Sequence, residues 1–171
     1  MKQILVLLTC ASLLACSVDT PGTMPSDGGD PSLVSLQKPV PFRATLSGGG
    51  LPPVPSASCN GLLLTELAGE GIATHLGRFT AVQHHCLNPA TFTFGNGVLE
   101  YTAANGHKVF GTYSGFLSPT PNPVIAEITG AWEFAGGTGR FASATGSGAA
   151  SGQLDVTTGN FSLTLDGSIS Y

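Results

Sequence analysis

The chain has 171 residues and a formal net charge of −4, and only 9% of its residues are charged. Its six Lys and Arg residues are scattered singly, which excludes a nucleic-acid partner, since binding the phosphate backbone needs several cations acting together. The length allows one domain plus terminal segments.

The N-terminus reads Lys2, then an apolar stretch from Ile4 to Leu14, closing in Leu13-Leu14-Ala15-Cys16. The stretch is too short to span a bilayer, which takes roughly 20 apolar residues. A basic start, an apolar middle and a small residue before a cysteine form the layout of a lipoprotein signal peptide. Cleavage after Ala15 is expected, with residues 1–15 removed (Cys10 among them) and Cys16 left as a lipidated N-terminus. Stable anchoring follows from two or more acyl chains, each buried methylene contributing about 0.8 kcal/mol. Ser17 rather than Asp follows the cysteine, which by resemblance to enterobacterial sorting directs the protein to the outer membrane. The expected address is the bacterial cell envelope, with the membrane as partner through the lipid on Cys16.

Residues 16–37 read as a flexible tether. Thr20-Pro21-Gly22-Thr23 and Ser26-Asp27-Gly28-Gly29-Asp30-Pro31-Ser32 carry no strand pattern and too little apolar surface for a core. Such a tether holds a domain roughly 25 Å from the lipid.

Residues 38–171 read as one all-β domain. Pro41 to Leu46 is the first predicted strand, followed by a Gly- and Pro-rich surface loop from Ser47 to Pro55. Leu62 to Leu76 is a long strand bent at Gly69 and Gly71, and Phe79 to Leu87 follows. Val98 to Thr102 and Lys108 to Gly115 flank Asn105-Gly106, whose positive φ values suit a tight hairpin. Val124 to Phe134 is next, then a short strand from Phe141 to Thr145 that fades into a Gly/Ala/Ser run. Gln153 to Val156 turns through Thr157-Thr158-Gly159-Asn160 into the clearest strand. There Phe161, Leu163, Leu165, Ile169 and Tyr171 alternate with Ser162, Thr164, Asp166, Ser168 and Ser170. This pattern predicts an antiparallel closed barrel of about eight strands, an architecture without free edges.

Three stretches, Ala73 to Thr80, Gly136 to Gly146 with its Gly-Thr-Gly-Arg-Phe element, and Gly167 to Tyr171, resemble bacterial proteins with the allene-oxide-cyclase-like barrel, which dirigent proteins share. The resemblance covers roughly Phe42 to Tyr171. It implies an eight-stranded barrel around an apolar cavity, in which some members cyclise or steer small apolar substrates. The shared motifs are turn-and-strand elements, so no catalytic residue is carried over.

Alternate side chains of a strand point to opposite faces, so the apolar phase fixes which polar groups enter the barrel. Glu100, Glu127, Glu133, Asp155 and Asp166 fall on the outer phase. Either phase fits Glu66 and Glu70. If Leu76 and Phe79 are both buried, the chain switches phase between them, with Gly77 the natural place for a bulge or bend. With Phe79 and Ala81 inward, Gln83 and His85 point in and His84 and Cys86 point out. Gln83, His85, Tyr101, Tyr113 and Trp132 are therefore the candidate cavity residues.

Cys59 and Cys86 are the remaining cysteines of the mature chain. An oxidising compartment favours their pairing, and loop closure makes such a bridge worth about 3.5 kcal/mol. His84-His85-Cys86 with His75 fits no standard zinc spacing, and no cofactor is expected. The outer-face residues are small and polar, which leaves the oligomeric state open.

Three functions compete. In the favoured one, a non-enzymatic surface lipoprotein binds a small apolar ligand or a partner through its barrel. The second is a cyclase- or isomerase-like enzyme on a lipid-derived substrate, which calls for an inward carboxylate beside His85. The third is a structural envelope protein with a filled barrel.

Overall fold

The computed structural model describes residues 38–171; the expected signal peptide (1–15), the expected lipidation site Cys16 and the expected tether (16–37) lie outside the described residues. The alternating pattern forms strands β1 (Val40–Gly50), β2 (Val54–Pro55), β3 (Leu63–Ala73), β4 (Gly77–Asn88), β5 (Thr93–Ala103), β6 (Lys108–Pro119), β7 (Ile125–Gly137), β8 (Thr145–Asp155) and β9 (Asn160–Ser170). The order is β1-β9-β8-β7-β6-β5-β4-β3, every pair antiparallel, and β1 also pairs with β3. Eight long strands thus close an antiparallel barrel, and β2 adds a two-residue pairing to β3. Backbone groups that an open sheet would leave at its edges are paired across the β1–β3 seam.

Three local expectations change. Ser47 to Gly50 belongs to β1 rather than to a loop, paired with β9 on one side and β3 on the other. A Cβ at Gly48 would lie 2.0 Å from the Ala68 carbonyl oxygen, so the glycine admits a close backbone approach at the seam. Phe141 is not the start of a strand, because Gly139–Phe141 forms a 3₁₀ turn. The strand begins at Thr145 and runs unbroken to Asp155. Its inward residues are mostly glycine and alanine, a period-two pattern too weakly apolar to register in the sequence. Third, Leu76 and Phe79 are both buried, and the expected phase switch at Gly77 is a bend rather than a bulge, so the strand predicted to Leu76 is shorter. β3 ends at Ala73, and a tight turn holds His75 at φ 68° and Gly77 at φ 69°. The outer face also departs from the polar expectation, with Ile72, Val82 and Val98 exposed on β3, β4 and β5.

The packed core occupies one end of the barrel. Phe42, Val109, Phe141, Ala144 and Ile169 are fully buried there. Each buried Phe contributes about 1.5–3 kcal/mol by removing apolar surface from water. Phe42 meets Trp132 and Phe134 edge-on, with centroids 5.3 and 5.1 Å apart. Tyr101 packs 4.8 Å from Phe79. These rings form an aromatic floor across the barrel.

The three stretches of the family resemblance converge outside this floor. His75 Nδ1 lies 3.1 Å from the Tyr171 hydroxyl. Arg140 donates to the His75 carbonyl and lays its guanidinium 4.7 Å from the Phe141 ring centroid. Phe141 in turn packs 5.0 Å from Tyr171. The motifs build a cap on the closed end, and none of their residues lines the large cavity at the other end.

Candidate functional site

On the other side of the floor the barrel is hollow. A cavity of about 540 Å³ opens at the end that carries the turns after β1, β4, β6 and β8. Ligand sites for small molecules span roughly 300–1,000 Å³. Leu51, Phe92 and Val156 stand exposed at its rim. Among the described residues, no Asp, Glu, Lys or Arg lines it.

Gln83, His85, Tyr101, Tyr113 and Trp132 all line this cavity. Its wall is chemically divided. The side built by β7, β8 and β9 is apolar, represented by Ile128, Trp132, Leu154 and Leu165. The side built by β3 to β6 carries the polar groups. Gln83 Nε2 donates to the Tyr101 hydroxyl at 2.9 Å. His85 Nδ1 lies 2.8 Å from the Tyr113 hydroxyl. The His85 ring also stacks near Phe94, centroids 4.9 Å apart. Burial, helped by the neighbouring His84, pushes the His85 imidazole down to about 4, so it is neutral at ordinary pH. Burial pushes both tyrosine hydroxyls well above their usual range, so they stay protonated donors.

Thr65, which the sequence does not single out, completes the polar wall. It is buried, lines the cavity and sits directly opposite His85 in the β3–β4 register. Its hydroxyl has no hydrogen-bond partner among the described residues. Phe94 is the other missed lining residue. Its half of β5 is hidden in the sequence by a bulge, with Asn96 at φ 51° and register shifts against both neighbouring strands. The inward phase of β3 is Leu63, Thr65 and Leu67, so Glu66 and Glu70 are exposed outside. Among the described residues, no carboxylate therefore stands beside His85.

Cys59 and Cys86 form a disulfide. Cys86 has the outward parity of His84, yet it is buried beneath the Cys59 turn. His75 lies in the closed-end cap, His84 faces solvent and His85 faces the cavity, so these side chains do not converge. No group of three His, Cys, Asp or Glu residues among the described residues is placed to hold a metal ion.

Comparison of the chain with protein-family models, with curated proteins and with solved structures found no match.

Proposed function

We propose that this protein is an exported lipoprotein, cleaved before Cys16, anchored in the outer membrane by acyl chains on that residue, and that its barrel binds a small apolar ligand. The barrel is then of the allene-oxide-cyclase-like kind, used for binding rather than for chemistry. The observation that carries the reading is the hollow, uncharged cavity above the aromatic floor, with apolar residues exposed at its mouth. Packing at native density would have filled such a space had the barrel served only as a strut. Acid–base catalysis needs a titrating group beside the substrate, poised near the working pH. Among the described residues, the cavity offers one imidazole, held low, and no carboxylate.

The test is saturable binding of Nile red, an uncharged apolar dye, together with native mass spectrometry of the protein purified from its source. One dye per barrel, lost in Ala150→Trp, which fills the cavity from β8, is the expected result. Dye binding unaffected by Ala150→Trp rejects the cavity as the site. For the anchor, metabolic labelling with an alkynyl fatty acid should mark the protein and should fail in Cys16→Ser.

A further inference from the structure

Resting on that reading, we propose that the ligand is an uncharged molecule with an apolar body and one hydroxyl or carbonyl oxygen, held at a polar contact built by Thr65 and His85. Three independent observations meet here. First, Thr65 lines the cavity, and its hydroxyl is a buried polar atom without a partner among the described residues. Buried polar side-chain atoms are mostly hydrogen-bonded, so one left unpaired on a residue of the cavity lining calls for a partner, which a ligand atom can supply. Second, His85 stands opposite Thr65 on the adjoining strand, and cross-strand partners on one face lie about 4.5–5.5 Å apart at Cβ. Its Nδ1 is engaged by Tyr113, while Nε2 has no partner among the described residues. One ligand oxygen between them takes a bond from each side. Third, the facing wall of β7 to β9 is apolar throughout. It suits the ligand's hydrocarbon body and offers no second polar contact.

The same wall explains why the ligand carries no charge. A carboxylate or ammonium entering this space would leave water for a site without a counter-ion. The polar contact supplies neutral hydrogen-bond partners only. A hydroxyl can donate or accept as the imidazole tautomer requires, and a carbonyl can accept from either group.

The experiment uses the full chain and four probes of matched length: octane, octanol, octanone and octanoate. Binding is followed through Trp132, the single tryptophan, which lines the cavity. At about pH 8, where octanoate is fully charged, octanol and octanone should bind about fivefold or more tighter than octane. Octanoate should bind at least about a hundredfold more weakly than octanol. Thr65→Val should collapse the octanol-to-octane affinity ratio about fivefold, and Thr65→Ser should restore it. Octanoate binding as tightly as octanol overturns the proposal. So does an octanol-to-octane ratio that Thr65→Val leaves intact. If octane binds but the polar probes gain nothing, the polar contact fails while the apolar-ligand reading stands. If no probe binds, both fall.

Discussion

The Tyr113 side chain reaches from β6 past β5 to place its hydroxyl 2.8 Å from His85 Nδ1 on β4. The contact skips a strand, and it works because the β5 residue between them is Gly97. A Cβ at Gly97 would stand 2.7 Å from Tyr113 Cδ1, so the ring lies directly against the glycine backbone. Together the pair holds a neutral imidazole in a fixed orientation at the cavity wall.

The His85 imidazole should make stability depend on pH. Its folded value of about 4 lies below the ordinary 6.5, mainly because burial disfavours the cation and secondarily because His84 is close. Between these two values the unfolded chain binds the extra proton and the folded chain does not. Stability is therefore fully present above about pH 6.5 and falls as the pH drops towards 4, by on the order of 3 kcal/mol across the window. Denaturant titrations of the wild type and of His85→Phe check this. The wild type should weaken through that window, and the variant should lose most of the slope. Equal slopes would place the acid sensitivity elsewhere.

Thr65→Val should raise the stability of the unliganded protein even as it weakens recognition. An unsatisfied buried hydroxyl carries a desolvation penalty of about 1–3 kcal/mol, and valine replaces it at nearly the same shape. A gain of roughly 1 kcal/mol in thermal or denaturant unfolding is expected. A loss of similar size would mean that the hydroxyl is already bonded in solution, for instance by an ordered water.

Reducing the Cys59–Cys86 bridge should cost about 3.5 kcal/mol, because the cysteines are 27 positions apart and the open chain regains the corresponding loop freedom. The bridge ties the turn after β2 to β4, one residue before Leu87 in the cavity wall. The barrel ladder itself does not pass through it. Cys59→Ala/Cys86→Ala should therefore keep its β circular dichroism while its denaturant midpoint falls. If the midpoint stays in place, the bridge contributes nothing to the folded barrel's advantage.

The barrel was legible because period two persists wherever one face is apolar, as in the run from Phe161 to Ile169. It faded where the inner face is glycine and alanine, as in β8, since there the hydrophobic signal is nearly flat along the strand. The inward polar residues Gln83 and His85 were legible through the parity of Phe79 and Ala81. Thr65 was not, because leucines occupy both phases at the start of β3 and only the closed barrel decides between them. The division of the cavity into a polar and an apolar wall was hidden for a different reason. It depends on which strands become neighbours, and no single strand carries it.

Gly97→Ala tests whether that wall is built as described. The new methyl would meet the Tyr113 ring at 2.7 Å and the Tyr113 carbonyl oxygen at 2.4 Å, so either the ring or the β5–β6 ladder must move. Overpacking of this kind destabilises by about 1–3 kcal/mol. The more telling consequence is local. Displacing Tyr113 removes the hydroxyl from His85 Nδ1, freeing the imidazole to rotate and admitting solvent beside it. The His85 ring should then titrate closer to the ordinary histidine value of 6.5 than to 4, which proton NMR of its ring protons reads directly. An unchanged titration in a folded Gly97→Ala protein would show that burial by Phe94 and the barrel wall, rather than the Tyr113 contact, keeps the imidazole neutral.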